Sequence, residues 1–102
     1  MIKITIKREN KSVYEIVIKG HANHGTFGND IVCAAVSTMA ITTVNGIVSL
    51  EDSLDYEDNS GLLEIRVKRV TDTNQKLLEN MITMLEELKS QYPKNIEIRN
   101  ED

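Results

Sequence analysis

Apolar and polar residues alternate at the start of the chain. Ile2, Ile4 and Ile6 are separated by Lys3, Thr5 and Lys7, the two-residue period of a strand with one buried face. The polar stretch "REN" with Lys11 makes a turn, and Tyr14, Ile16 and Ile18 repeat the alternation. The first two strands are therefore expected to form a hairpin. A glycine-containing loop follows from Gly20 to Asn29. From Ile31 to Leu50 no charge interrupts a run of Ala, Val, Ile, Ser and Thr. That run predicts a closely packed helix, weakened near its end by Gly46.

"SLDYED" predicts a third strand, "NSG" a turn, and "LLEIRV" a fourth strand with Leu63, Ile65 and Val67 on one face. Asp72 with Gln75 three residues later resembles a capping box. Leu77, Leu78, Met81, Met84, Leu85 and Leu88 then line one side of an amphipathic helix that Pro93 stops. The methionines in that stripe read as core. "NIEIRN" suggests a short final strand. The expected architecture is a single α+β domain over residues 1–102, ββαββα(β) in two layers. Its sheet is mainly antiparallel, with both helices packed on one face.

Composition narrows the function. The net charge of −4 gives no broad attraction to nucleic acid, so direct nucleic-acid binding is not expected, and a cationic partner is easier. A single cysteine cannot form an intramolecular disulfide. The amino-terminal stretch lacks an apolar signal core, so the cytoplasm is the expected location. Ile31–Leu50 is long enough to cross a bilayer. Its Ser and Thr content and its acidic flanks, Asp30, Glu51 and Asp52, favour a soluble core helix, and no membrane partner is expected.

The chemistry gathers in "GHANHGTFGNDIVCAAVS". This stretch holds both histidines, His21 and His24, and the only cysteine, Cys33. With Asp30 as N-cap, Cys33 falls at the third helical position, where unpaired N–H groups and the helix dipole favour a thiolate. Asp30 opposes this by its own charge. A neutral imidazole near Cys33 could take the thiol proton and leave a nucleophilic ion pair. Asp30 could orient the ring, and first-turn N–H groups could stabilise an oxyanion. Acyl transfer is the chemistry such a strand–loop–helix element suits. A small apolar cysteine packed beside Ala34 and Ala35, with both histidines solvated, is the bland alternative. Zinc held by His21, His24, Cys33 and Asp30 is a second alternative, but the spacing matches no established zinc pattern. No phosphate-binding or dinucleotide fingerprint is present.

The same residues closely resemble the signature of the ribosomal-processing cysteine proteases, the Prp family. A "GHA" segment, a glycine-containing loop and a "DIVCA" helix start occur together, and the likeness extends over nearly the whole chain. The resemblance implies a cysteine endopeptidase without cofactor or metal. It would remove the amino-terminal extension of a large-subunit ribosomal protein, the twenty-seventh, cutting after an aromatic residue. It implies a catalytic dyad of His21 and Cys33 and a homodimer with helices at the interface. Gly25, Phe27 and Gly28 would belong to a substrate loop, with Phe27 either lining the pocket or anchoring the loop to the core. Read from the residues themselves, His24 is a second imidazole near the site or a solvated loop residue, Ser37, one turn beyond Cys33, bonds near the site or to its own helix backbone, and Asp30 orients the ring or only caps the helix. The acidic stretch "LEDSLDYED" suits a basic ribosomal substrate, or is simply a solvated strand edge. The competing function is a non-enzymatic ribosome-associated binding module that keeps Cys33 for packing.

Overall fold

The computed structural model describes residues 1–20 and 27–102, the side chains of residues 27–30 excepted. Among the described residues the order is β1 (Ile2–Glu9), β2 (Ser12–Lys19), α1 (Phe27–Leu50), β3 (Leu54–Asn59), β4 (Leu62–Val67), α2 (Asp72–Gln91) and β5 (Ile96–Glu101). The strands form one sheet in the order β3-β4-β2-β1-β5. All neighbours are antiparallel except β1 and β5, which run parallel. The expected α+β, mainly antiparallel architecture is the one observed. The final strand is real, and α2 is the crossover that makes its parallel pairing possible.

One sheet face is apolar. Ile2, Ile4 and Ile6 line up with Ile16, Ile18, Leu63, Ile65 and Ile96, and all are buried. The inward phase of β2 differs from the alternation expected. Val13, not Tyr14, points into the core, and Tyr14 is 39% exposed. The cause is a bulge. Lys7 pairs with Glu15 while Arg8 pairs with Val13, so Tyr14 is the extra residue and the phase slips by one. The side chain of Gln75 reaches this kink. Its Nε2 donates to the Val13 carbonyl at 2.8 Å, and its Oε1 accepts from the Val13 N–H at 2.8 Å.

Gln75 is therefore not the capping residue that the sequence suggested. The cap sits one position earlier, at Thr71. The Thr71 hydroxyl accepts from the Asn74 N–H at 3.0 Å, and Asn74 Oδ1 accepts from the Thr71 N–H at 3.2 Å. Asn74 can close a capping box as Gln does, because its amide oxygen reaches the same N–H. In α2, Leu78, Met81, Ile82 and Leu85 are buried, Leu77 and Leu88 pack partly against them, and Met84 is 41% exposed.

The helix α1 is apolar and long enough over Ile31–Leu50 to cross a membrane. In this fold it lies across the domain instead. Val32, Val36, Ala40, Val44 and Ile47 form a buried stripe, and the helix packs on α2 and β3. Its outer side carries Thr38, Thr42 and Asn45. Both helices cover the same sheet face, and the other face is open.

Candidate active site

α1 already includes Phe27, four residues ahead of the expected start. Phe27 and Gly28, assigned by the sequence to a loop, lie in its first turn. Asp30 is the fourth residue of α1 and so does not cap it. A first-turn acid is still favoured by the helix dipole, and glycine is tolerated so near a helix end. The glycine at position 28 had suggested loop where the backbone is helical. Cys33 is consequently the seventh helical residue, and its own N–H belongs to the helical ladder. Its Cα–Cβ bond tilts back toward the first turn, where the N–H groups have no intrahelical partner.

Cys33 is 6% exposed and belongs to the core. Its thiol donates to the Gly20 carbonyl at 3.5 Å. Gly20 is itself held in place. Its N–H donates to the Gly61 carbonyl at 2.9 Å, in the turn that joins β3 to β4. It adopts φ +87°, and a Cβ added there would stand 3.0 Å from the Met1 carbonyl oxygen. Only glycine meets both conditions without strain. The turn opposite is built for this approach, since Ser60 and Gly61 take φ +49° and +86°, the type I′ pattern of a two-residue hairpin. Three segments thus converge on the residue that leads into His21: the chain start, the β3–β4 turn and the sulfur on α1.

Ser37 is half-buried one turn beyond Cys33. His21, His24 and Gly25 lie outside the described residues. The proposed dyad, the zinc alternative and the role of Asp30 toward an imidazole all involve these positions or the side chain of residue 30. Among the described residues no group of three His, Cys, Asp or Glu side chains could hold a metal ion. Gly20 and Gly61 were not singled out as site residues by the sequence. The "NSG" turn signal and the glycine just before His21 were the available clues, but their contact depends on strand register. Between residues 31 and 50, α1 carries no Asp, Glu, Lys, Arg or His. Asp30, three residues before Cys33 in the first turn, is the one charged residue of the helix.

A sulfur buried to this degree suits packing as well as attack, and comparisons with known proteins address the activity of the chain. The family model "Cysteine protease Prp" matches residues 1–97. The chain belongs to the Prp cysteine protease family. A Prp described as a ribosomal processing cysteine protease, from Staphylococcus aureus, is 36% identical over 101 residues, spanning 95% of this chain and 94% of that protein. The crystal structure of the S. aureus Prp in complex with a substrate peptide superposes with a TM-score of 0.87 at 29% identity, covering 99% of this chain and 100% of that one. The S. aureus Prp with a covalently linked product peptide gives 0.84 at 33% identity, with the same coverage. The Prp fold is thus shared from end to end, and the chain is a cysteine protease. Membership sets aside the reading of the chain as a non-enzymatic binding module.

Proposed function

We propose that this chain is a processing endopeptidase that removes the amino-terminal extension of a large-subunit ribosomal protein, the twenty-seventh, through a dyad of Cys33 and His21. One observation carries the assignment of the nucleophile. A cysteine protease needs a thiol, the chain has one cysteine, and its sulfur lies 3.5 Å from the carbonyl of the residue that precedes His21.

In this scheme His21 takes the thiol proton and the sulfur attacks the scissile carbonyl. The free N–H groups of the first turn of α1 receive the developing oxyanion. The C–N bond breaks as the imidazolium returns its proton to the leaving amine, which departs with the mature protein. Water, deprotonated by His21, then splits the thioester and releases the extension. A peptide covalently linked to the S. aureus relative is the kind of species this route passes through. Gly25 and neighbouring residues would close on the extended peptide. Asp30 and His24 would support the imidazole, and Ser37 would stand behind the sulfur. The enzyme would act in the cytoplasm as a homodimer, without cofactor, metal, nucleic acid or membrane.

The test is incubation of the purified protein with the extended ribosomal substrate and analysis by mass spectrometry. A single cut after an aromatic residue is expected, and none with Cys33→Ala. Cleavage by the Cys33→Ala protein would overturn the assignment.

A further inference from the structure

We propose that the exposed edge of β5 pairs with β5 of a second copy of this chain, antiparallel about a two-fold axis at Ile98, so that two sheets become one. The pairing uses neither the thiol nor the outer faces of the helices. It stands apart from the Cys33–His21 reading and from the helix-mediated homodimer that the family resemblance implies.

The sheet has two edges, β3 and β5. β3 carries Asp55, Glu57 and Asp58 and no basic residue. Lys68 and Arg66 reach Asp55 and Glu57 from the inner side only. A second β3 set against this rim would place acid beside acid, and such a rim protects its edge. β5 differs. Glu97 and Arg99, of opposite sign, lie on the open face, and Ile98 packs half-buried on the helix side.

The parallel ladder with β1 fixes which backbone groups face outward. Ile2 pairs with Ile96, and the Ile2 N–H donates to the Asn95 carbonyl at 2.8 Å. The N–H and C=O groups of Asn95, Glu97 and Arg99 therefore turn to β1, and those of Ile96, Ile98 and Asn100 turn away from the sheet. With the axis at Ile98, each outward residue meets another outward residue: Ile98 opposes Ile98, and Ile96 opposes Asn100. That gives about six main-chain hydrogen bonds. Glu97 falls opposite Arg99 in the closer, non-hydrogen-bonded pairing, and symmetry repeats the pair. Glu101 falls opposite the neutral Asn95, and at the ends of the register Lys94 falls opposite Asp102. Behind the edge a groove of about 340 Å³ lies between α2 and β5, lined by Glu86, Lys89, Ser90, Pro93, Ile98 and Asn100. It has room for side chains of the second copy, and its charged border carries both signs.

Single-cysteine proteins test the geometry. In the Cys33→Ala background, Ile98→Cys should form a disulfide-linked dimer under mild oxidation, because the two Cα atoms would stand about 5.5 Å apart. Glu57→Cys, on the β3 edge, should remain uncrosslinked on the same non-reducing gel. Sedimentation over a range of protein concentrations reads the association itself. Glu97→Lys and Arg99→Glu should each weaken it about tenfold, since symmetry sets like charges together twice. The double variant Glu97→Lys/Arg99→Glu should restore it. These two side chains lie outside the core, so this arm stands even where the cysteine variant fails to fold. Equal association of wild type and both single variants overturns the proposal, as does crosslinking of Ile98→Cys no faster than that of Glu57→Cys. Hydrogen exchange in the Cys33→Ala protein identifies a different occupant. If the Ile98 and Asn100 amides are protected only once the extension peptide is added, the edge takes substrate and pairing between copies falls.

Discussion

The two ends of the sheet are held in different ways. At the end where β3 starts and β4 finishes, polar side chains interlock. Ser53 and Asn74 are fully buried. Asn74 Nδ2 donates to Ser53 Oγ at 2.9 Å and to the Arg69 carbonyl at 2.8 Å, while Thr71 Oγ1 donates to Glu51 Oε2 at 2.6 Å. Among the described residues no buried side-chain nitrogen or oxygen lacks a partner. At the opposite end the described contacts around Gly20 are of backbone and sulfur. A positive-φ glycine is pinned between two carbonyls, and a thiol makes a long hydrogen bond to it. Saturated polar networks fix a single arrangement. A thiol–carbonyl hydrogen bond is weak and exchanges at little cost, which suits a nucleophile.

The sharpest way to break this contrast is to remove the sulfur. Cys33→Ala should lower cleavage by more than about a thousandfold. It should cost only about 1 kcal/mol of stability, since one buried atom of modest hydrophobic value is lost. Peptide turnover and denaturant unfolding check the two halves. Activity and stability falling together would put Cys33 in the packing class.

The opposite signature belongs to Asn74. Asn74→Ala strips partners from Ser53, the Arg69 carbonyl and the Thr71 N–H in a buried setting. A loss of about 2–4 kcal/mol is expected, with kcat unchanged in the folded fraction. Chemical denaturation and single-turnover cleavage measure this. This end was the less legible in the sequence. Asp72 and Gln75 fit the capping pattern as well as Thr71 and Asn74 do, and only the packing of Ser53 under α2 selects between them. The Tyr14 phase error has the same origin, because a bulge leaves no mark in local alternation. Strands with uninterrupted period, such as Ile2–Ile4–Ile6, and the Leu78–Met81–Leu85 face were legible because burial acts on them residue by residue. The site was half legible. Residue types at Cys33 and the histidines suggested a chemistry, whereas the contact of Gly20 with Gly61 is a property of strand order.

Gly20→Ala probes the junction between the two kinds of region. It forces an L residue to φ +87° and brings a Cβ to 3.0 Å from the Met1 carbonyl. About 1–2 kcal/mol of strain is expected. Because the Gly20 carbonyl is the thiol's acceptor, cleavage should also fall, by about tenfold. A change in melting temperature without any change in kcat would detach Gly20 from the chemistry.

The smallest effect concerns acid. The carboxyl of Glu51 is held below its ordinary pKa, first by the hydrogen bond from Ser53 and then by that from Thr71. In the unfolded chain it titrates near its usual value of about 4.3. Above that pH both states are ionised and the stabilisation is complete. As pH falls below it, the unfolded chain takes up the proton first, and the contribution shrinks until the folded carboxyl is protonated as well. Asp52, lowered by its hydrogen bond from Lys68, adds in the same direction. Melting curves should therefore be flat above about pH 5 and decline below about pH 4. Glu51→Gln should flatten part of that decline, because a neutral amide has no proton to gain. An unchanged acid limb in Glu51→Gln would mean that the network around Asn74 is held by its neutral hydrogen bonds alone.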